Sequence, residues 1–324
     1  MLQRLLATTD IVLESFPPGT LEGWGLDFAA LHRQYPGLIL TSITPFGQSG
    51  PYRHLRATEL EVLALGGFLA VCGDPDRPPL RISAPQANLF ASVCAFSGTL
   101  LAYYHRLRSG QGQQVDVSMQ ECVTHLHYAQ LLWNTYGMVP RRLGTTLIFG
   151  GVAIPILFPC RDGYVQAIPC LSWDTFVPWM AEHGLAGDLL SEAWQARLQT
   201  LATEWTQEEV DHAHQVVANF LAHFRKQELY EEAMRRRQLL YPVQTVRDCL
   251  ADRQLQAREY FVSLPCPALG TTLTYPGAPF RLSATPWRLR SPAPRLGEHN
   301  DAIYGEELGL SAAERAALQQ EGVI

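Results

Sequence analysis

One polar side chain stands at the start of an apolar, helix-like stretch, SAPQANLFASV at residues 83–93. A carboxylate at this point would make immediate chemical sense, because a carboxylate held in a water-poor site can act as a nucleophile. The residue found there is Asn88, whose neutral amide is a poor nucleophile. An amide in the first turn of a helix also accepts a backbone N–H bond as an ordinary cap. Asn88 is therefore either a simple capping residue or the neutral occupant of a reactive position.

Two carboxylates, Glu59 and Glu61, lie in the segment RATELEV upstream of Asn88. Solvated helix charges are the more common role for such residues. Arg53 and Arg56 lie in the loop after GQSGPY and could bind a phosphate. Glu59 is the first carboxylate of this segment to consider as a catalytic group.

Other motifs give little support for a reactive centre elsewhere. GQSGPY and SGQGQQ lack the lysine or the strand-turn-helix context of phosphate loops, so we expect turns. His125 and His127 are two residues apart and lie on different faces of a helix, which disfavours a shared metal. A Ser-His-Asp or Cys-His arrangement stays open, but no nucleophile-elbow motif marks a candidate. The sequence therefore predicts no metal site.

Composition narrows the class of protein. The 324 residues carry a net charge of −6, and the basic residues form no run, which argues against nucleic acid or a membrane surface as partner. The seven cysteines are widely spaced, with no CxxC motif, and are typical of buried thiols in a reducing cytoplasm. We expect no bilayer-spanning stretch and no signal peptide. The sequence predicts a cytoplasmic globular protein.

Alternating strands and helices must position these residues. DIVLESF is a strand pattern, and LDFAALHRQYPGLILTSITPFG repeats helix, turn and strand, which is typical of a parallel sheet. A helix is predicted from about residue 86 to residue 108, ending at Gly110, and QQVDVSM is the next strand. One side of this helix carries large apolar residues: Leu89, Phe90, Val93, Phe96, Leu100, Leu101 and Tyr104. The other side carries small ones, which let another helix or a ligand come close: Ala91, Ser92, Ala95, Gly98 and Ala102.

A candidate domain boundary lies near Arg141, where the sequence pattern changes to short strands and turns. The sequence is helical from Trp173 to about Leu240, and short strands return from Pro242. It ends in an extended Pro-rich arm and a last helix capped by Ser311.

Several longer phrases carry a resemblance that runs along the whole chain. The phrases ESF-PPG-LE, SGQGQ-VDVSM and APRLGEH occur in this order, with FPCRDGYVQ and YPGAPFRLSATPWRLRSPAPRLGEH between and around them. In these residues the chain resembles the family III CoA-transferases, or CaiB/BaiF family. That family includes formyl-CoA and carnitine CoA-transferases and the α-methylacyl-CoA racemases.

The resemblance implies an α/β fold with a Rossmann-like large domain built from both chain ends, residues 1–140 and 242–324. A small α+β domain with linker helices, residues 145–240, is inserted between them. Family members are interlocked dimers, so a dimer is expected here. Full-length relatives have further strand-helix units before DIVLESF, so the chain resembles an N-terminally short member.

The resemblance also implies a chemistry. In the transferases an aspartate attacks the acyl-CoA thioester to give an anhydride and then an enzyme-bound thioester, and its position falls at Asn88. The racemases add a histidine, whose position is Thr58, so racemase chemistry loses both acid/base groups. The missing nucleophile could be replaced by Glu59 or by a side chain of a partner subunit.

Coenzyme A, as substrate and thioester, is the implied ligand, and acyl-CoA and a carboxylic acid are the implied substrates. The expected CoA-binding residues are Ser15, Phe16, Pro17, Trp24 and Arg56, although Gly23 stands where formyl-CoA transferase has an arginine. Three alternatives stay open. The chain is a transferase with a replaced nucleophile, or a non-catalytic CoA-binding or structural subunit that pairs with an active paralogue, or a decayed gene product. A homodimer and a heteromer are both compatible with the sequence.

Overall fold

The computed structural model describes residues 1–127, 135–137 and 141–324. In this part of the chain the helices, numbered in chain order, are α1 Leu2–Leu6, α2 Thr20–Gly23, α3 Phe28–Gln34, α4 Glu59–Leu65, α5 Gln86–Ser109, α6 Met119–Leu126, α7 Trp173–Glu182, α8 Glu192–Leu198, α9 Gln207–Leu221, α10 Lys226–Arg236, α11 Val246–Ala251, α12 Arg253–Ala257 and α13 Ala312–Gln320. The strands are β1 Ile11–Glu14, β2 Ile39–Thr44, β3 Gln114–Ser118, β4 Thr146–Phe149, β5 Val152–Pro155, β6 Leu157–Cys160, β7 Gly163–Ala167, β8 Leu240–Pro242, β9 Phe261–Cys266 and β10 Thr271–Pro276. Single turns of 3₁₀ helix span Leu69–Val71, Pro169–Leu171, Gly187–Leu190, Ala202–Glu204 and Pro267–Leu269, and a π-helix spans Asp301–Glu307.

A parallel sheet of three strands, in the order β1-β2-β3, organises the first part of the chain. Ile11 pairs with Ile39, and Leu40 pairs with Gln114. β2 is buried at nearly every position, as expected for a strand with a neighbour on each side and helices on both faces. The mixed α/β fold with a parallel sheet that the sequence predicts is confirmed.

Helices cover the sheet on both faces. On one face, Leu40 of β2 and Leu38 just before it pack with Leu6 of α1 and Leu31 of α3. On the other face, α5 lies against β2 and β3 through small residues, and its Thr99 hydroxyl is 2.7 Å from that of Thr41. Since Thr41 and Leu40 are adjacent in β2, their side chains point to opposite faces of the sheet.

The connection from α5 to β3 depends on two glycines. Gly110 ends the helix with a φ of +73°, a left-handed conformation that glycine adopts without steric cost. Gly112 lies so close to the preceding strand region that a Cβ atom would stand 2.0 Å from the Leu38 carbonyl oxygen. Arg106 in the last turn binds Asp10 at 2.6 Å. Residues 110–113 therefore form a tight turn, as the sequence predicts for SGQGQQ, and Gln114 already belongs to β3.

The chain forms two compact units. The first comprises Met1–Leu157 and Gly187–Val216, and contains the parallel sheet and the antiparallel pair β4-β5. The second comprises Phe158–Ala186 and Val217–Ile324. Its sheet has the order β6-β7-β8, β9 and β10 form an antiparallel pair, and rings of Phe176, Trp179 and Phe220 pack edge to face in its core. The domain division expected from the sequence, near residues 140–145 and 240–242, stays a prediction.

Two sequence expectations need correction. Among the described residues one helix, α5, is long and apolar enough to cross a membrane by length and composition, with a mean hydropathy of 1.2. Its packing on β2 and β3 accounts for it as a helix of the α/β unit, and its apolar character comes from the large side chains of its outer face. All seven cysteines are free thiols, but only Cys122 and Cys266 are fully buried.

Candidate functional site

The carboxyl ends of the three parallel strands gather the segments that the sequence singled out. β1 ends at Glu14, β2 ends at Thr44 and β3 ends at Ser118. α5 is joined to the start of β3 by only four residues, so it runs antiparallel to the strand and begins near the strand's carboxyl end. Ligands of open α/β sheets bind at this edge. The first turn of α5, with Asn88, therefore lies at the edge where a site is expected.

Asn88 is the third residue of α5 and its side chain is exposed. The cap position of the helix is Pro85, which has no side-chain acceptor to offer. The Asn88 backbone carbonyl accepts a hydrogen bond from the Ser92 hydroxyl at 2.7 Å, within the helix. An exposed amide in the first turn is free to meet a ligand but brings no charge to it.

Glu59, at the start of α4, supplies the cap that Pro85 cannot. Its Oε1 accepts a hydrogen bond from the backbone N–H of Ala87 at 2.9 Å, and its Oε2 lies 3.4 Å from Nη2 of Arg81. The side chain is only 10% exposed. A carboxylate at a helix N-terminus satisfies an unpaired N–H group and is favoured by the helix dipole. Glu59 thus links α4 to α5 one residue before Asn88.

Glu61 caps its own helix, α4. It accepts hydrogen bonds from the backbone N–H of Thr58 at 2.7 Å and from the Thr58 hydroxyl, which completes a capping box. These Thr58 hydrogen bonds lower the pKa of Glu61 from its ordinary value. Thr58 and Glu61 therefore act as a local cap for α4.

The loop after β2 presents cationic and aromatic side chains at the same edge. Asp116 of β3 holds this loop, since its two carboxylate oxygens accept from the Gln48 backbone N–H at 3.1 and 3.0 Å. Residues 51–56, PYRHLR, are all exposed. Arg53 donates through Nε to Nε2 of His54 at 2.7 Å, and Arg56 is exposed beside it. This loop can pair with phosphate oxygens of a ligand.

The loop after β1 forms a second cluster of expected CoA-binding residues. The rings of Phe16 and Trp24 meet edge to face with centroids 5.2 Å apart, and both are largely exposed. The Phe16 backbone N–H donates to Oε2 of Glu14 at 2.7 Å, which fixes the turn after the strand. Ser15 is exposed, and Pro17 lines a cavity of about 370 Å³.

The charge of this cavity limits what it can hold. Glu14, Glu22 and Asp27 line it together with Ser42 of β2, and its described lining includes no lysine or arginine. Carboxylates repel a phosphate, so the cavity suits an uncharged or amide-rich part of a ligand rather than a pyrophosphate. The cationic loop at residues 51–56 is the better place for the charged part.

The expected site residues thus fall into two groups. The structure brings Glu59 next to the residue that precedes Asn88, and Ser15, Phe16, Pro17 and Trp24 lie on a separate loop of the same sheet edge. Sequence reasoning missed Arg81 and Asp116. A polar residue inside the strand phrase VDVSM was a signal for Asp116, whereas nothing local marked Arg81.

The two histidines that the sequence singled out, His125 and His127, make contacts within the fold. His127 is buried and its Nε2 lies 2.6 Å from the Gly66 carbonyl oxygen, whereas the His125 ring stacks on Phe90 with centroids 6.4 Å apart. Within residues 1–127, 135–137 and 141–324, no three His, Cys, Asp or Glu side chains gather as a metal site would need.

Comparisons with known proteins agree along the whole chain. The family model described as CoA-transferase family III matches residues 1–300. Succinyl-CoA–D-citramalate CoA-transferase of Chloroflexus aurantiacus is 34% identical over 342 residues, covering 100% of this chain and 79% of that protein. Succinyl-CoA:(R)-benzylsuccinate CoA-transferase subunit BbsE of Thauera aromatica is 32% identical over 332 residues, covering 99% and 78%. The crystal structure of a CAIB/BAIF family protein from Brucella suis is similar with a TM-score of 0.82 at 26% identity, covering 94% of this chain and 77% of that one.

Proposed function

This chain belongs to CoA-transferase family III, and from that premise we propose that it is a nucleophile-free subunit of an enzyme that moves CoA from an acyl-CoA to a carboxylic acid. One observation carries the proposal. The exposed residue in the first turn of α5, at the position that the resemblance assigns to the catalytic aspartate, is the amide Asn88.

The transfer chemistry explains why an amide matters. A carboxylate attacks the thioester carbonyl, the C–S bond breaks, CoA leaves as its thiolate, and a mixed anhydride remains on the protein. The thiolate then attacks the protein's own acyl carbon, which releases the substrate acid and leaves a protein-bound CoA thioester. The neutral amide of Asn88 cannot form this anhydride, so the carboxylate must come from another residue or another chain.

Glu59 is the carboxylate of this chain held next to the first turn of α5, and its surroundings favour a supporting role. Both of its oxygens face partners, Ala87 and Arg81, and the side chain is almost fully enclosed. An attack by Glu59 on a thioester would first break the cap of α5. We therefore propose that Glu59 positions the first turn of α5 and that an aspartate from a related subunit supplies the nucleophile.

The relatives support the same assignment. One of the two similar transferases is described as a subunit, BbsE, and both names begin with succinyl-CoA. We propose a succinyl-type acyl-CoA as donor and a second carboxylic acid as acceptor. Arg53 and Arg56 would pair with the CoA phosphates, and the exposed rings of Phe16 and Trp24 would stack on its adenine. Ser15 and Pro17 would contact the ligand at the mouth of the neighbouring cavity.

The assembly of the protein is part of the proposal. The parallel sheet and the similarity to the Brucella suis protein support a Rossmann-like large domain, completed from both chain ends, with an inserted small domain. An interlocked dimer, either of two copies or with a paralogous subunit, fits the extended Pro-rich segment at residues 286–295. The free cysteines fit a reducing cytoplasm.

The test is an assay of the chain by itself. Wild-type protein and Asn88→Ala are incubated with succinyl-CoA and a panel of carboxylic acids. CoA transfer is followed by chromatography, and protein-bound CoA is followed by intact-protein mass spectrometry. We expect neither transfer nor adduct from either protein. Transfer by the wild type at an ordinary enzymatic rate would overturn the proposal, and loss of that rate in Glu59→Gln would assign the nucleophile to Glu59.

A further inference from the structure

Arg81 is a cationic side chain held beside the first turn of α5, although it lies outside that helix. Its Nη2 is 3.4 Å from Oε2 of Glu59. The other oxygen of the same carboxylate accepts the backbone N–H of Ala87 at 2.9 Å. One carboxylate therefore holds both the guanidinium of Arg81 and the residue that precedes Asn88.

This shared carboxylate limits the distance between Arg81 and the first turn. The two oxygens of a carboxylate are roughly 2.2 Å apart, because each C–O bond is about 1.2 Å long. Together with the two contact distances, this separation places Nη2 of Arg81 within about 9 Å of the Ala87 nitrogen. A small molecule in contact with Asn88 can therefore also contact Arg81.

Most of the hydrogen-bonding capacity of Arg81 is open to a ligand. A guanidinium has five N–H donors arranged in a planar fork. The contact with Glu59 uses one nitrogen and is longer than a strong charge-assisted hydrogen bond of about 2.8 Å. Among the residues that the structure describes, the Arg81 side chain makes no other hydrogen bond or ion pair, and it is 59% exposed. The rest of the fork has the geometry to pair with a carboxylate through two parallel hydrogen bonds.

Stability alone does not explain this arginine. An exposed ion pair contributes little to folding, because water and salt screen it. The cap of α5 is the hydrogen bond between Glu59 and Ala87, to which Arg81 donates nothing. The first turn of α5 also contains no acidic residue that would repel an anion. An anionic group beside Asn88 would therefore meet an available cation.

We propose that Arg81 binds the free carboxylate of a dicarboxylic acyl group and so selects succinyl-type thioesters over monocarboxylic ones. This inference rests on the proposed function, which places the acyl group of an acyl-CoA at Asn88. The proposed function takes the class of acid from the relatives. Arg81 is the residue of this chain that would recognise that class, and it acts on specificity and not on the chemical step.

The length of a succinyl group fits this assignment. When the chain is extended, its thioester carbon and its free carboxylate carbon are about 4 Å apart, since three C–C bonds of about 1.5 Å join them. The C–O bond and the hydrogen bond to a guanidinium nitrogen bring the span to roughly 8 Å. This span is comparable with the upper limit of about 9 Å between Arg81 and the first turn. A one-carbon or two-carbon acyl group has no carboxylate to place there.

Pairing with a charge gives stronger selectivity than apolar contact does. A thioester that ends in a methyl group covers the guanidinium without offering it an acceptor, and an unpaired covered donor is costly. Sites that pair with a polar group of the substrate therefore reject an analogue that lacks this group. An apolar pocket discriminates far less between chains that differ by one methylene.

Arg56 is the competing cation, because it lies only three residues before Glu59. The proposed function assigns it to the phosphates of CoA, which every CoA thioester carries. The two arginines therefore have different expected signatures. Loss of Arg56 should weaken the binding of all CoA thioesters alike, whereas loss of Arg81 should weaken only that of thioesters with a free carboxylate.

The test is a calorimetric titration of the whole chain with succinyl-CoA and with butyryl-CoA. Both esters have a four-carbon acyl group, which ends in a carboxylate in one and in a methyl group in the other. We expect the wild type to bind succinyl-CoA at least about ten-fold more tightly than butyryl-CoA. Arg81→Gln should bind the two esters within about two-fold of each other, because it loses affinity for succinyl-CoA alone. The matched control is Arg77→Gln, since Arg77 is 75% exposed and lies four residues earlier, and it should keep the wild-type preference.

Butyryl-CoA separates recognition from a structural effect. If Arg81→Gln merely disturbed the first turn of α5, both esters would bind more weakly, as we expect for Arg56→Gln. An equal loss for both esters in Arg81→Gln, or a preference for succinyl-CoA that survives in this variant, would overturn the inference. Equal binding of both esters by the wild type would overturn it as well and would leave the proposed CoA site standing. Binding of neither ester by the wild type would contradict that CoA site and this inference together.

Discussion

The Glu59 carboxylate accepts the backbone N–H of Ala87 at 2.9 Å, although the two residues are 28 positions apart in the chain. This hydrogen bond makes one helix the cap of another, and it fixes the first turn of α5 directly before Asn88. A second contact from Arg81 holds the other oxygen of the same carboxylate. The orientation of residue 88 therefore depends on a side chain from a separate element.

Removing this cap should destabilise the first unit. Glu59→Ala leaves the Ala87 N–H without its acceptor at a partly buried position, and we expect a loss of about 2 kcal/mol in the free energy of unfolding. Glu59→Gln keeps an acceptor but loses the charge, so its loss should be about half as large. Urea denaturation measures both, with Glu306→Ala at an exposed position as control. Equal stability of Glu59→Ala and the control would show that the cap contributes nothing.

The two glycines between α5 and β3 should respond very differently to alanine. At Gly112 a Cβ would stand 2.0 Å from the Leu38 carbonyl oxygen, so the strands must separate and we expect a loss of about 3 kcal/mol. At Gly110 the only cost is a left-handed backbone, about 1 kcal/mol, because no atom lies within 4 Å of the added Cβ. Thermal or chemical unfolding of the two variants measures the difference. The reverse order would contradict this account of the turn.

Acid should weaken the second unit through Asp248. Its hydrogen bond from Lys226, followed by that from the Thr245 backbone N–H, lowers the pKa of Asp248 from its ordinary value of 3.8 to about 2. A depressed carboxyl pKa stabilises the folded state above the ordinary value, and this stabilisation disappears as the pH falls from 3.8 to about 2.

Asp248→Asn should therefore lose stability at neutral pH and show a flatter decline below pH 4 than the wild type. Chemical unfolding followed between pH 2 and pH 6 measures the two curves. Asp76→Asn, at an exposed position, is the control and should follow the wild type. If the wild type and Asp248→Asn decline in parallel below pH 4, the ion pair has no part in acid sensitivity.

Restoring a carboxylate at residue 88 should restore the first chemical step if the rest of the site is present. Asn88→Asp is nearly isosteric and puts an anion in the first turn of a helix, where the dipole favours it, so stability should change by less than about 1 kcal/mol. With succinyl-CoA we expect a protein-bound CoA thioester by intact-mass spectrometry. Gln86→Glu, two residues earlier in the same turn, is the matched control and should give no adduct. An adduct on both variants would show nonspecific acylation.

Much of the first unit follows from local pattern. Local signals predict the strands in DIVLESF and QQVDVSM and the helix from residue 86 to Gly110. Those signals are hydrophobic periodicity and a left-handed glycine. The sequence alone also shows that this helix has one face of large residues and one face of small residues. Which face is buried is not a local property. The sheet selects the small face, since only small side chains allow Thr99 to reach Thr41.

The candidate site was harder to predict. The sequence favoured a solvated helix charge for Glu59. In the structure its carboxylate contacts Arg81 and the backbone N–H of Ala87, which are 22 and 28 residues further along the chain. Arg81 follows a Pro-rich turn with no periodicity that would place it. The cysteines were expected to be buried, yet five of the seven are partly exposed. Long-range partners decide these outcomes.

The small-residue face of α5 has a mechanical consequence. Alanine and threonine have few or no side-chain rotations, so the buried residues that α5 contributes to its contact with the strands, Ala91, Ala95 and Thr99, leave little freedom to absorb a displacement. We therefore expect the helix and the sheet to move together. A shift of β2 or β3 by a ligand seated at one end of the sheet would be carried along α5 over its 24 residues, to Gly110 in one direction and to Asn88 in the other.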